Sequence, residues 1–137
     1  MITKEFLDRV KKHEGFCPYP YKCPAGKLTI GYGRNIEDCG ISREEAEILL
    51  KNDLNKSSRE LLNNFPWMVD LGTARKNVLI EMVFNIGISR FKGFKKMLAA
   101  CRNGEWDKAA NEMLDSNWHK QVKKRAETLA EIMKKGK

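Results

Sequence analysis

The sequence predicts an α+β fold, mainly α, built as two lobes. They are a small antiparallel β-hairpin lobe and a C-terminal helical bundle, joined by a long connecting helix. Three observations predict it. Residues 16–36 carry Pro18, Pro20 and Pro24, which exclude a helix there. Residues 42–64 place Ala46, Leu49, Leu50, Leu54, Leu61 and Leu62 at helical spacing, and at ~1.5 Å per residue such a helix spans ~30 Å, enough to bridge two lobes. After Gly72 every segment has helical spacing. The 137 residues are expected to form a single domain, with the hairpin lobe over about 15–60 and the helical lobe over 1–14 plus 61–137.

Each element has its own signals. Thr3 is a candidate cap for a helix over residues 3–14, with Phe6, Leu7 and Val10 on one face and Gly15 as its stop. Two or three strands follow, with a turn at Pro24-Ala25-Gly26-Lys27 and a β segment at Leu28-Thr29-Ile30. Gly31-Tyr32-Gly33 then permits a close backbone approach or a bulge. Asp38-Cys39-Gly40 reads as a turn, and Ser42-Arg43-Glu44-Glu45 as a capping box that opens the long helix. Phe65-Pro66-Trp67 ends that helix. Beyond it, Thr73 is expected to cap a helix to about Phe84, with helices at 89–101, 106–114, from Ser116, and 123–134.

Bulk properties exclude several classes. No apolar run approaches the ~20 residues of a membrane span, so no stable membrane insertion is expected. The N-terminal stretch is charged and amphipathic, without the apolar segment of a signal peptide. Cys17, Cys23, Cys39 and Cys101 make no C-x-x-C pair, and only two histidines are present, so neither a metal nor a cofactor is expected. His13-Glu14 begins like H-E-x-x-H, but position 17 is Cys. The net charge of +8 comes from residues 73–137, which hold fifteen Lys/Arg against seven Asp/Glu. That half suits a polyanion partner or a well-solvated surface.

The chemistry concentrates between His13 and Arg34. Glu14 is the last carboxylate before Glu37. It shares the helix face of Leu7 and Val10, so part-burial and a raised pKa are expected, against the plainer reading of an exposed glutamate at a frayed end. A lone acid at a helix-to-hairpin junction, facing polar hairpin residues, suggests proton chemistry.

Glu14-Gly15, Tyr21-Lys22-Cys23, Gly26 and Thr29-Ile30-Gly31-Tyr32-Gly33 together resemble the phage-type lysozymes, glycoside hydrolase family 24. That family's pattern is a Glu, a residue nine positions on and a Thr six further, which here falls on Glu14, Cys23 and Thr29. The resemblance runs on through Met82-Val83-Phe84-Asn85-Ile86-Gly87, Trp106-Asp107-Lys108-Ala109-Ala110 and Trp118 with Arg125-Ala126, so it covers nearly the whole chain. It implies a lysozyme-like fold and an N-acetylmuramidase cutting peptidoglycan with inversion. Glu14 would be the general acid, with Cys23 and Thr29 positioning or activating water. It also implies that Arg125 lies near the cleft and pairs with Glu14, and that Tyr32, Asn35, Phe84 and Asn85 help bind sugar. Phe84 reads equally as core. Arg34 and Asp53 are expected to bridge the hairpin and the long helix.

One slot departs from the pattern. Many members carry Asp where this chain has Cys23. Three versions follow: a base or polar positioner of water, a thiolate nucleophile giving net retention, or a structural stand-in beside Glu14 and Thr29. A lytic transglycosylase of the same fold is the near rival. A basic helical nucleic-acid binder is the distant one, and no nucleic-acid partner is expected. The reading that follows from the resemblance is a monomeric phage or prophage endolysin. It would be held in the host cytoplasm without a signal peptide and reach the periplasm after holin action.

Overall fold

The computed structural model describes all residues, 1–137. It contains a three-stranded antiparallel sheet and nine α-helices, the mainly-α α+β class expected. The chain divides into two compact units, residues 1–48 and 49–137, and the boundary falls inside the long helix. Residues 1–14 belong to the first unit, whereas the sequence reading grouped them with the helical bundle. No helix is long and apolar enough to cross a membrane.

In the first unit, α1 spans Lys4–Glu14. Thr3 caps it by accepting the Phe6 N–H at 3.2 Å, and Gly15 (φ 72°) closes it by donating to the Lys11 carbonyl. Strand β1 (Cys17–Lys22) lies at the edge of the sheet, β2 (Leu28–Gly31) at its centre and β3 (Arg34–Asn35) at the far edge. The pairing between β1 and β2 shifts between Cys17 and Tyr21. Pro18 and Pro20 fall in that interval, where an edge strand tolerates missing N–H donors.

Helix α2 (Ile36–Cys39) occupies the place where a turn was expected. Asn35 explains the extra turn: its Oδ1 accepts the Asp38 N–H at 3.1 Å and caps a short helix that Gly40 then ends. Helix α3 (Arg43–Asn64) opens with the expected reciprocal cap. Ser42 N–H donates to Glu45 at 2.8 Å and Glu45 N–H donates to the Ser42 hydroxyl at 3.0 Å. The Ser42 N–H and hydroxyl, together with Arg34, hold the Glu45 carboxyl below the usual range. The expected partner of Arg34 was Asp53; within its own unit the arginine pairs with Glu45. The arginine also donates to the Gly40 carbonyl, and that anchor holds β3 to the start of α3.

The second unit carries the core. Pro66–Asp70 form a 3₁₀ turn after Phe65, as the proline requires. Helix α4 (Thr73–Ile86) buries Val78, Leu79, Met82 and Val83. Its N-cap is Gly72 with no side-chain cap, so Thr73 is the first helical residue rather than the cap expected. The predicted helix over 89–101 is two helices, α5 (Ile88–Phe91) and α6 (Lys95–Arg102). The break is at Gly93, whose N–H turns back to the Arg90 carbonyl at 3.0 Å while Phe94 N–H bonds Phe91. Helices α7 (Trp106–Leu114), α8 (Asn117–Val122) and α9 (Lys124–Lys135) complete the unit, with Ser116 capping α8. Helix α7 packs on α6 and α9, and α9 on α4. Between them lie Phe91, Met97, Ala109, Met113, Ala126 and Met133, all buried. Arg75 ties this end together: it donates to the Met133 and Lys134 carbonyls and stacks 4.1 Å over Trp106.

Candidate active site

Two of the three expected catalytic residues meet on the hairpin. Cys23 starts the turn between β1 and β2, which closes through Cys23 N–H to Lys27 at 3.0 Å and Gly26 N–H to Cys23 at 2.8 Å. The Lys27 N–H, then the Ala25 N–H, and also the Thr29 hydroxyl favour the thiolate and hold the Cys23 pKa below its ordinary value; partial desolvation opposes them. Thr29 lies in β2, only 4% exposed, and its hydroxyl donates to the Lys27 carbonyl at 2.9 Å.

A hydroxyl has one proton and two acceptor sites. While Cys23 is a thiol, Thr29 can donate to Lys27 and accept from sulfur. Once Cys23 ionises, the hydroxyl proton can turn to the thiolate. The frame of the turn is fixed from α2, where Glu37 and Asp38 reach Lys27 Nζ at 3.5 and 3.3 Å and Glu37 accepts the Leu28 N–H at 3.3 Å.

Glu14 is the last residue of α1. Its carboxylate lies against Gly33: a Cβ at that glycine would fall 2.8 Å from Glu14 Cδ and closer still to Oε2. The close approach expected at Gly31-Tyr32-Gly33 therefore has its partner, the acid itself. Glu14 is exposed, not part-buried as expected. The face it shares with Phe6, Leu7 and Val10 is exposed too, because a 48-residue unit of one small sheet buries little surface.

The expected sugar-binding residues divide by unit. Tyr32 follows β2, its ring 5.4 Å from Phe16 and 5.5 Å from Lys11 Nζ. Asn35 is occupied in the cap of α2, with Nδ2 on Asp38 at 3.0 Å and Oδ1 on the Asp38 N–H. In the second unit Phe84 and Arg125 share a pocket of about 660 Å³ with Leu54, Asn77, Ile80 and Glu81. Arg125, expected to pair with Glu14, donates through Nε to Glu81 at 2.9 Å. Phe84 is exposed at the pocket wall, not core. Asn85 accepts from Trp118 Nε1 at 2.7 Å, which satisfies the buried indole.

Sequence reasoning missed Glu81 as the partner of Arg125 and Asn85 as the partner of Trp118. Its i, i+4 spacing to Asn85 on α4 shows that Glu81 shares their side of the helix, but names no partner on α9.

The phage lysozyme family profile matches residues 11–134. The chain is 31% identical over 123 aligned positions to an endolysin of Acyrthosiphon pisum secondary endosymbiont phage 1, which covers 87% of this chain and 80% of that protein. It is 30% identical over 164 positions to probable T4-type lysozyme 2 of Dictyostelium discoideum, covering 98% and 96%. It is 31% identical over 127 positions to an endolysin of Bacillus phage B103, covering 87% and 46%. With the helix-ending glutamate, the thiol–hydroxyl hairpin and the helical bundle all inside the matched span, the chain belongs to the phage lysozyme family.

Proposed function

We propose that this protein is an N-acetylmuramidase that hydrolyses the β-1,4 bond between N-acetylmuramic acid and N-acetylglucosamine in peptidoglycan. Its family makes it a peptidoglycan hydrolase. The observation that carries the finer reading is the sheet unit, where Glu14 sits against Gly33 and Cys23 is cradled with Thr29. In this reading Glu14 protonates the leaving glycosidic oxygen and is left as carboxylate. A water held by Thr29 and Cys23 attacks the anomeric carbon from the opposite face, and its proton passes to the Cys23 thiolate. The lowered Cys23 pKa supports a base or positioner over an inert stand-in. The product is then inverted. Solvent returns a proton to Glu14 and removes one from Cys23 before the next turnover.

The biological setting we infer is a phage or prophage endolysin. Relatives with that printed name support it. The positive charge of residues 73–137 suits retention on anionic wall polymer, with the glycan strand as partner and a monomer as the working form.

The deciding experiment is clearing of permeabilised Gram-negative cells by wild type and by Glu14→Gln, with NMR and mass analysis of the products. Lysis by wild type alone, with inverted products that have gained water, is the expected result. Anhydro-sugar products would make the enzyme a lytic transglycosylase. Retained configuration would make Cys23 a nucleophile. Full activity in Cys23→Ala would remove the thiol from the mechanism.

A further inference from the structure

We propose that Phe16, backed by Tyr32, is a sugar-stacking platform beside Glu14, a glycan-binding subsite of the sheet unit. The inference rests on the muramidase reading. The pairing of Cys17 with Gly31 continues to set Phe16 opposite Tyr32, and the rings lie 5.4 Å apart at 41°. Both remain open to solvent, Phe16 at 63% and Tyr32 at 47% exposure. Adjacent exposed aromatics leave apolar faces in water and mark a recognition surface better than a core.

Each ring has a neighbour. Lys11 Nζ lies over the Tyr32 ring, a cation–π contact that orients Tyr32, and Tyr32 in turn supports Phe16. The freer face is that of Phe16. Phe16 is two residues past Glu14, and Tyr32 is one before the glycine that the Glu14 carboxylate touches. Phe16 thus enters β1 from the acid, and Tyr32 leaves β2 toward the glycine that the acid touches.

The chemistry of the occupant fits. A β-1,4-linked chain of N-acetylglucosamine and N-acetylmuramic acid carries its ring substituents equatorially. Each ring thus presents flat C–H faces that pack on an aromatic face, while hydroxyls and acetamides stay in water. The Lys11 ammonium adds a positive charge suited to the free carboxylates of the muramic-acid branches. Lipid would need a wider apolar surface, and a protein partner would not need the acid alongside.

The test is steady-state cleavage of soluble glycan strands, paired with titration of chitohexaose, a neutral N-acetylglucosamine oligomer. Phe16→Ala is expected to raise KM about tenfold and weaken chitohexaose to a similar degree, with kcat changed less than about twofold. Phe16→Trp should restore both. Phe16→Leu keeps apolar bulk without the flat face and should also raise KM, which covers the case in which the alanine variant fails to fold. An unchanged KM in Phe16→Leu overturns the proposal, as does a lowered Tm with unchanged KM and chitohexaose affinity in Phe16→Ala. If wild type binds chitohexaose through Phe16 yet cleaves no glycan, the platform stands and the muramidase reading falls.

Discussion

Gly33 offers the sharpest test of where Glu14 must sit. The glycine has φ 74°, so alanine pays the left-handed penalty of about 1–2 kcal/mol. It also meets the acid, since the new Cβ would fall 2.8 Å from Glu14 Cδ and 3.3 Å from Cγ. A glutamate at the exposed end of a helix can swing away at little cost in stability. The clash is therefore relieved by moving the carboxylate on the order of 1 Å, a displacement that can cost about a hundredfold in rate. Gly104→Ala is the matched control: φ is 71°, and no atom lies within 4 Å of its Cβ position. Urea unfolding should give similar losses for the two variants, while kcat/KM on soluble glycan falls about a hundredfold in Gly33→Ala and less than about threefold in Gly104→Ala. Gly33→Ala with near wild-type kcat/KM would refute the reasoning, because the acid would then work equally well from a displaced position.

Three further outcomes are expected. Alkylation of Cys23 by iodoacetamide should have its pH midpoint below that of a free cysteine, and Thr29→Val should move it upward; an unshifted midpoint in wild type would break the cradle argument. The folded thiol pKa lies below the unfolded one, so the stability Cys23 adds is present above the unfolded pKa and is lost as pH falls through the folded value. Cys101 is buried beside Met133 and its thiol is pushed up to about 11 by burial against a smaller pull from Arg75, so a thiol-exchange reagent should reach it only after unfolding, whereas Cys39 reacts at once in the native protein. Trp118→Phe removes the Asn85 hydrogen bond and should cost about 1 kcal/mol by urea unfolding, against about 3–5 kcal/mol for Trp118→Ala, which also leaves a cavity at a 3%-exposed position.

What could be read in advance follows the range of each interaction along the chain. The Thr3, Gly15 and Ser42–Glu45 caps are settled within four residues, and the structure has all of them. The approach of Cys23 to Thr29 depends on one tight turn, and it was the family resemblance, not local spacing, that named the two together. Gly33 was legible as a place where something comes close. That the visitor is Glu14 depends on how α1 leaves Gly15 relative to β2, which local spacing does not encode. Choices between charged partners were the least legible, because sequence spacing does not say which carboxylate a long side chain meets. Arg34 takes Glu45, which the capping box already holds in place. Arg125 takes Glu81 since α4 and α9 pack together within one unit. Both pairs are substantially exposed and worth at most about 1 kcal/mol, so they orient side chains more than they hold the fold. The Arg125–Glu81 pair carries a consequence for chemistry. The arginine's charge is already answered by a carboxylate in its own unit, so Glu81→Gln should leave Arg125 freer to bind an anionic group in the 660 Å³ pocket and tighten muropeptide over neutral chitooligosaccharide. Equal affinities for the two ligands in wild type and in Glu81→Gln would show that the Arg125 charge does not reach the glycan.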